Sequence, residues 1–165
     1  MNIVFVEIDR CIACLSCERV CFFQQTQTCR GHAANIFVHV DMDLRRISAV
    51  TCRQCESARC MKVCPSGALS RNLQTHAVVV DKGRCIGCGL CVAACPFGSV
   101  RLDGLQRVAT KCDLCGGHPR CVDVCMARAL HFGSIHELKE LKRQRTDSRF
   151  GIRAVLSGED VSNAG

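Results

Sequence analysis

Residues 85–96 read CIGCGLCVAACP, in which four cysteines follow the spacing C-x2-C-x2-C-x3-C and a proline comes directly after the last. Three thiolates spaced this closely wrap one cuboidal [4Fe–4S] cluster, and the fourth, a helical turn further on, ligates the second cluster of a pair. Gly87 and Gly89 let the backbone approach the inorganic sulfides and adopt positive φ. Pro96 fixes the backbone after the last cysteine and has no N–H to satisfy. The stretch therefore predicts half of a two-cluster module.

Three more runs of the same kind occur along the chain. Every run keeps the C-x2-C start and the C-x3-C end, and only the gap between these pairs varies. Such an internal repeat outweighs local secondary-structure propensity. The runs consist of Cys11, Cys14, Cys17 and Cys21 (run one); Cys52, Cys55, Cys60 and Cys64 (run two); Cys85, Cys88, Cys91 and Cys95 (run three); and Cys112, Cys115, Cys121 and Cys125 (run four).

The cysteine content limits the class of protein. The chain has 165 residues and 17 cysteines, and only 4% of its residues are aromatic. A chain this rich in cysteine is held together by disulfides or by metal. The N-terminal MNIVFVEIDRC lacks the features of a secretory signal, so we expect reduced thiols in the cytoplasm, with export beside a signal-bearing partner as the exception. The thiols also crowd around common centres, which favours metal over separate disulfides.

The charge argues against a nucleic-acid partner, and the hydropathy argues against a membrane-spanning helix. The formal net charge of +7 counts every cysteine as neutral. Four clusters with a total charge of about −2 each would bring +7 to about −1, so a nucleic-acid partner loses its electrostatic basis. No apolar run approaches the length of about 18 residues that a membrane helix needs.

Zinc is the alternative metal for these cysteines. Zinc ribbons and fingers join two separated C-x-x-C pairs, without a third cysteine close by and a C-x3-C-P end. The spacing therefore favours [4Fe–4S] clusters. A zinc-binding interaction protein is the alternative that a metal analysis would separate from them.

Runs two and three resemble each other most and predict one inner module at about residues 50–103. Both end in C-P and continue alike, as PSGALS and PFGSVR, and a strand at His76–Asp81 with a turn at Lys82–Gly83 leads from one to the other. Runs one and four then form an outer module from about residues 1–30 plus 104–133. Sequential pairing of runs is the competing arrangement, and the insertion at residues 22–51 between runs one and two makes it less natural.

Crossed ligation within each module predicts four sets of cysteines. In each set, three cysteines come from one run and the fourth comes from its partner run. The sets are Cys11, Cys14, Cys17 and Cys125 (set 1); Cys112, Cys115, Cys121 and Cys21 (set 2); Cys52, Cys55, Cys60 and Cys95 (set 3); and Cys85, Cys88, Cys91 and Cys64 (set 4).

Four stretches carry a family resemblance: CIACLSCERVC, CRQCESARCMKVCPSGAL, CIGCGLCVAACPFGSV and KCDLCGGHPRCVDVC. Over about residues 3–133 the chain resembles the four-cluster iron–sulfur subunits of the dimethyl-sulfoxide-reductase and formate-dehydrogenase type. The resemblance implies an α+β fold of two interleaved bacterial-ferredoxin-like modules, with short antiparallel strands and short helices around paired [4Fe–4S] clusters. Its outer-with-outer and inner-with-inner pairing agrees with the four sets. Met126 departs from the proline that often follows the last cysteine.

The resemblance also implies the role of the protein. The compact length is similar to that of soluble members, among which the small subunit of tungsten aldehyde oxidoreductases comes first. Subunits serving carbon monoxide dehydrogenase, hydrogenase or formate dehydrogenase are its competitors. The expected partners are a tungsten or molybdenum catalytic subunit and a second redox partner, such as a flavoprotein subunit or a ferredoxin, with further copies of the chain as another option.

No pattern for substrate chemistry accompanies the runs. The sequence shows no nucleophile–base pair, phosphate loop or open metal site. Clusters ligated fully by cysteine pass electrons and do not bind substrate. We therefore expect a relay of single electrons that is not an enzyme by itself, with a free polyferredoxin carrier as the alternative.

The remaining segments give further expectations. The stretches IFVHVD and RRISAV read as a hairpin that turns at Met42–Leu44. SIHELKELKRQR predicts a helix, and we expect residues 134–165 to dock on a catalytic subunit or a neighbouring copy. Cys29 belongs to no run and reads as a small buried thiol. Basic residues in or beside the runs either raise cluster potentials or are solvated surface; these are Arg53, Arg59, Lys62, Lys111, Arg120 and Arg128.

Overall fold

The computed structural model describes residues 1–26 and 34–149. In this part of the chain, eight short strands form four separate antiparallel pairs. The pairs are β1 (Asn2–Val6) with β8 (Leu130–Ser134), β2 (Phe37–Asp41) with β3 (Arg46–Val50), β4 (Leu69–Arg71) with β5 (Val78–Val80), and β6 (Val100–Leu102) with β7 (Ala109–Lys111). The predicted α+β class with short antiparallel strands is confirmed.

Each run places its third cysteine on a helix. The helices are α1 (Ser16–Thr26), α2 (Arg59–Lys62), α3 (Leu90–Ala93), α4 (Arg120–Asp123) and α5 (Ile135–Arg149), with 3-10 turns at Ile8–Arg10 and Leu114–Gly117. Helices α2, α3 and α4 have four residues each, and the fourth cysteine of the run follows two residues after each ends. None of the helices in the described ranges is long and apolar enough to cross a membrane.

Successive runs are linked by strand pairs. The pair β2–β3 lies between runs one and two, β4–β5 between runs two and three, and β6–β7 between runs three and four. The pair β1–β8 then joins the strand before run one to the strand after run four, from Asn2 opposite Ser134 to Val6 opposite Leu130. The β6–β7 pair therefore connects the last inner run to the last outer run.

The turns of β4–β5 and β6–β7 have the same construction. The side-chain oxygen of the first turn residue, Asn72 or Asp103, accepts hydrogen bonds of 2.7–2.9 Å from backbone N–H groups two and three residues on. The fifth turn residue, His76 or Arg107, has a left-handed backbone, with φ of 56° and 54°. Because His76 belongs to the turn, the strand predicted from residue 76 begins only at Val78.

Two small apolar cores support the runs. One contains Val4, Ile36, Ala77, Leu114 and Leu130 together with Cys21 and Cys121. The other contains Ala58, Leu69, Val78, Val100 and Ala109 together with Cys91. Ala77 and Val78 are consecutive but belong to different cores, so the start of β5 is the border between them.

The predicted hairpin and C-terminal helix are both present. The hairpin is β2–β3, and the guanidinium carbon of Arg101 lies 3.1 Å from the ring centroid of Phe37, which ties the hairpin to β6. Helix α5 starts with a capping box, in which Ser134 Oγ accepts from the N–H of Glu137 and Glu137 Oε2 accepts from the N–H of Ser134. Leu138 is buried, whereas Ile135, the first helical residue, stays largely exposed. Residues 150–165 and Cys29 lie outside the described residues.

One backbone feature recurs in all four runs. The second residue after the first cysteine has a left-handed backbone, which residues other than glycine rarely adopt. These residues are Ala13 (φ 53°), Gln54 (φ 45°), Gly87 (φ 68°) and Leu114 (φ 62°). At Gly87 an added Cβ would lie 2.2 Å from the carbonyl oxygen of Arg107, so run three requires glycine there for space as well as for φ.

We expect Gly87→Ala to destabilise the protein by about 2–5 kcal/mol, because a left-handed alanine and a backbone clash both oppose it. Thermal unfolding of the iron-loaded protein and its iron content measure the effect. Gly104→Ala is the matched control, since no heavy atom lies within 4 Å of an added Cβ there, and we expect a change within about 0.5 kcal/mol. Equal stability of the two variants would contradict the close approach of the turn to Gly87.

Candidate metal centres

The cysteines of set 1 surround one cavity, although they come from opposite ends of the described chain. Cys11, Cys14 and Cys17 line it together with Cys125. Apolar side chains close the rest of it: Val6, Ile12, Leu15, Ile36, Val38, Ala49, Ala127, Ala129 and Leu130. The hairpin supplies Val38 and Ala49, so the segment inserted between runs one and two covers this cavity.

The cysteines of set 2 surround a second cavity. Cys112, Cys115 and Cys121 line it together with Cys21, which stands on α1. The cavity is also lined by Val4, Gln25, Asn35, Ile36, Thr51, Asp113, Pro119 and Arg120. Helices α1 and α4 contact each other, which brings Cys17 and Cys21 of run one near Cys121 of run four.

Sets 3 and 4 lie in the inner part of the chain. Cys52, Cys55, Cys60 and Cys95 line a cavity of about 340 Å³. For set 4, Cys64 and Cys85 pack against the inner core that contains Cys91, and the charges of both act on Cys91. Cys88 is the one exposed cysteine of the sixteen in the runs.

The effect of one cysteine's charge on the pKa of another shows which sets are neighbours. Burial raises the pKa of Cys121, and the charges of Cys112, Cys21, Cys115 and Cys17 raise it further, which puts set 2 beside set 1. Burial raises the pKa of Cys112 to about 12, and the charge of Cys52 adds to that rise, which puts set 2 beside set 3. Cys60 and Cys95 of set 3 and Cys64 and Cys85 of set 4 pack against the same inner core as Cys91. These contacts place set 1 beside set 2, set 2 beside set 3, and set 3 beside set 4.

The raised pKa values show what these positions require of a ligand. Burial raises the pKa of Cys17 to about 11. Bare thiols in such sites stay protonated at neutral pH, yet only thiolates bind metal. A bound cation reverses this balance, because its charge deprotonates a coordinating thiol outright. The buried cysteines are therefore suited to iron and unsuited to free thiolate chemistry.

Backbone N–H groups donate to three of the sulfur atoms. The donors are Asn35 N to Cys21 Sγ at 3.2 Å, Ala109 N to Cys85 Sγ at 3.3 Å, and Ala129 N to Cys125 Sγ at 3.3 Å. Hydrogen bonds to ligand sulfur are one means by which a protein tunes the potential of an iron–sulfur cluster. They stabilise negative charge on sulfur, which fits thiolate ligands better than thiols.

Asn35 tests whether a cluster fits the cavity of set 2. Its side-chain oxygen accepts from Thr110 Oγ1 at 2.9 Å, whereas its buried Nδ2 has no partner among the described residues. Because Asn35 lines this cavity, the sulfur atoms of a cluster would supply the missing acceptor. No group of three or more His, Cys, Asp or Glu side chains in residues 1–26 and 34–149 is close enough to hold a single metal ion. Four cysteines around one cavity, with an unused donor on its wall in set 2, fit a cuboidal cluster better than one zinc ion.

Sequence reasoning identified the cysteines but missed two polar neighbours, Asn35 and Gln54. Both are buried among cysteines, and only the position of Gln54 inside CRQC pointed towards a site. The six basic residues divide unequally: Lys111 is buried, whereas Arg53, Arg59, Lys62, Arg120 and Arg128 are exposed. Five of the six basic residues are therefore solvated surface residues.

Comparison with known proteins also indicates iron–sulfur clusters. A family model described as a 4Fe-4S dicluster domain matches residues 45–135. The thiosulfate reductase electron transfer subunit PhsB of Salmonella typhi is 35% identical, over 94% of this chain and 91% of its own length. The B subunit of the anaerobic dimethyl sulfoxide reductase of Escherichia coli is 34% identical, over 82% of this chain and 75% of its own length. The electron transport protein HydN of Escherichia coli is 35% identical, over 89% of this chain and 98% of its own length.

Proposed function

Because this protein belongs to the 4Fe-4S dicluster family of iron–sulfur electron-transfer proteins, we propose that it is the electron-transfer subunit of an oxidoreductase complex and holds four [4Fe–4S] clusters. One observation carries the number four: three of the four predicted cysteine sets each line a cavity of their own, and the fourth gathers Cys64, Cys85 and Cys91. Clusters in these sets supply one-electron redox chemistry when bound.

The sixteen cysteines of sets 1 to 4 are the proposed ligands. All four positions of each cluster are then taken by thiolates, so no iron keeps an open site for substrate. The chain's own contribution is to position the sulfur atoms, exclude water with apolar walls and donate N–H groups to sulfur. Fully ligated clusters in such a chain support a carrier of electrons, with catalysis on another subunit.

The order of the sets supports a relay with two ends. Set 1 stands at one end, beneath the hairpin, and set 4 stands at the other. At the set 4 end Cys88 is exposed, and so are the neighbouring Ile86 and Leu90. We assign one end to a catalytic subunit and the other to a second redox partner, such as a flavoprotein subunit or a ferredoxin.

We propose a tungsten or molybdenum enzyme as the catalytic partner, with an aldehyde oxidoreductase first. The matching relatives are named as parts of a thiosulfate reductase and a dimethyl sulfoxide reductase, which supports a reductase complex without choosing its substrate. Carbon monoxide dehydrogenase, hydrogenase and formate dehydrogenase are the competing partners. We propose a cytoplasmic location, with export beside a signal-bearing partner as the alternative, because the thiols must stay reduced until iron binds.

A free electron carrier is the second candidate function. HydN, which this chain covers to 98% of its length, is named as an electron transport protein and not as a subunit. A free carrier would use the same four clusters and would exchange its partners by diffusion.

Purification from its own cells without oxygen tests the function directly. We expect a brown protein with about 16 iron and 16 sulfide per chain, four of each per cluster, and a catalytic subunit identified in the same fraction by mass spectrometry. The chain alone, with all its iron, would favour the free carrier. A colourless protein containing zinc would overturn both readings.

Crossed ligation predicts which cluster responds to Cys125→Ser. Serine is a poorer ligand for iron than a thiolate, so we expect the variant to alter the paramagnetic signal of the cluster held by run one. Cys14→Ser and Cys115→Ser provide the references, because they mark the clusters of run one and run four. Under crossed ligation Cys125→Ser reproduces the change caused by Cys14→Ser. A match with Cys115→Ser would contradict the pairing.

The C-terminal segment, residues 134–165, is proposed to dock on the catalytic subunit or on a second copy. Leu138 and the capping box belong to the body of the protein, so the docking part must lie beyond them. We therefore expect removal of residues 145–165 to leave all four clusters in place but to lose the partner during purification. Iron content checks the first half and co-purification the second. A truncated chain that still brings down its partner would refute the docking role.

A further inference from the structure

Lys111 is an unusual lysine, because its side chain is buried rather than solvated. The residue is 5% exposed and ends strand β7. Its ammonium donates to the backbone oxygens of Val78 and Cys112 and to Oε1 of Gln54. Three acceptors match the three N–H donors of an ammonium group, so the site is built for the charged form.

In the part of the chain that the structure describes, no carboxylate pairs with the positive charge of Lys111. None of the salt bridges in the described ranges involves this residue. Burial of a charge costs several kcal/mol unless an opposite charge is near. The carbonyl dipoles offset part of that cost, and a negative group must supply the rest.

The nearest source of negative charge is the cysteines on either side. Lys111 lines the cavity of set 3, and its ammonium lies 2.9 Å from the carbonyl oxygen of Cys112, a member of set 2. Cys60 and Cys95 line the same cavity as Lys111. Lys111 thus lies at the contact between the outer and inner modules.

Gln54 holds the lysine in this place. It is 0% exposed, and its Nε2 donates to the carbonyl oxygen of Cys112 at 2.8 Å while its Oε1 accepts from the N–H of Val78 at 2.9 Å. The equivalent position of run four is Leu114, also fully buried and left-handed. Runs one and three carry Ala13 and Gly87 there, so only run two has a side chain at this position that can accept from an ammonium.

Resting on the proposed function, we propose that Lys111 is a fixed positive charge shared by sets 2 and 3, which raises the reduction potentials of the clusters they hold. A cluster that accepts an electron becomes more negative, so a nearby positive charge stabilises the reduced state. Buried charges are screened far less than exposed ones, which distinguishes Lys111 from the five exposed basic residues near the runs. Lys111 is a positioning residue, and its effect falls on the central step of the relay.

A redox titration of the holoprotein, followed by electron paramagnetic resonance, tests this role. We expect Lys111→Met to shift the midpoint potentials of two of the four clusters to more negative values and to leave the other two unchanged. Lys111→Arg, which keeps the charge, should leave the same two potentials close to their wild-type values. Lys62→Met is the matched control, since Lys62 is exposed on α2 beside Cys60, and should leave all four potentials in place.

A second variant covers the case in which Lys111→Met loses its clusters. Gln54→Glu keeps the size of the side chain and puts a negative charge at Oε1, 3.3 Å from the ammonium. It should lower the same two potentials by cancelling the lysine charge. Unchanged potentials in a loaded Lys111→Met or Gln54→Glu protein, or an equal shift in Lys62→Met, would overturn the inference. A wild-type protein without four clusters would instead refute the proposed function, so the two failures are distinguishable.

Discussion

The convergence of sulfur atoms from distant parts of the chain is the constraint on which the rest of the structure depends. Strands β4 to β7 have three residues each, and helices α2 to α4 have four. Elements this short are not stable alone, because a helix nucleus is costly and a hairpin of two strands is marginal. The two cores are small, and several of their buried members are cysteines. Metal bound by those cysteines therefore has to supply folding energy that apolar burial does not.

The parts of the structure that follow from local chemistry were predictable. Cysteine spacing is fixed by the size of a cluster, and the family and the α+β class inferred from it are confirmed. The β2–β3 hairpin and helix α5 carry alternation and helical spacing that are visible in the sequence. Helices of four residues have no periodicity to read. The β1–β8 pair joins the two ends of the domain and leaves no local signal either. The polar roles of Asn35 and Gln54 depend on which distant backbone groups meet them, so the sequence could not disclose them.

The internal repeat explains where the structure is symmetric and where it is not. The turns after β4 and β6 share one hydrogen-bonding scheme, and all four runs share one left-handed position. The side chain at that position differs in every run, and only Gln54 is polar. Leu114 lies in the core that contains Val4 and Leu130, whereas Gln54 hydrogen-bonds Val78 of β5 and Lys111 of β7, two strands that contact each other. A buried polar residue in this one run, bonded to an ammonium, indicates a local electrostatic requirement.

The charge of Lys111 links the contact between β5 and β7 to the proposed clusters. Without a cluster, burial raises the pKa of Cys112 to about 12 and keeps that thiol neutral, and the Lys111 ammonium forms no salt bridge among the described residues. Under the proposed function, four clusters would make the same positions negative and bring the formal charge of +7 to about −1. If Lys111 has the proposed role, the buried charge that is costly in the metal-free chain is offset once clusters bind. The same charge would then couple cluster binding to the packing of β5 against β7.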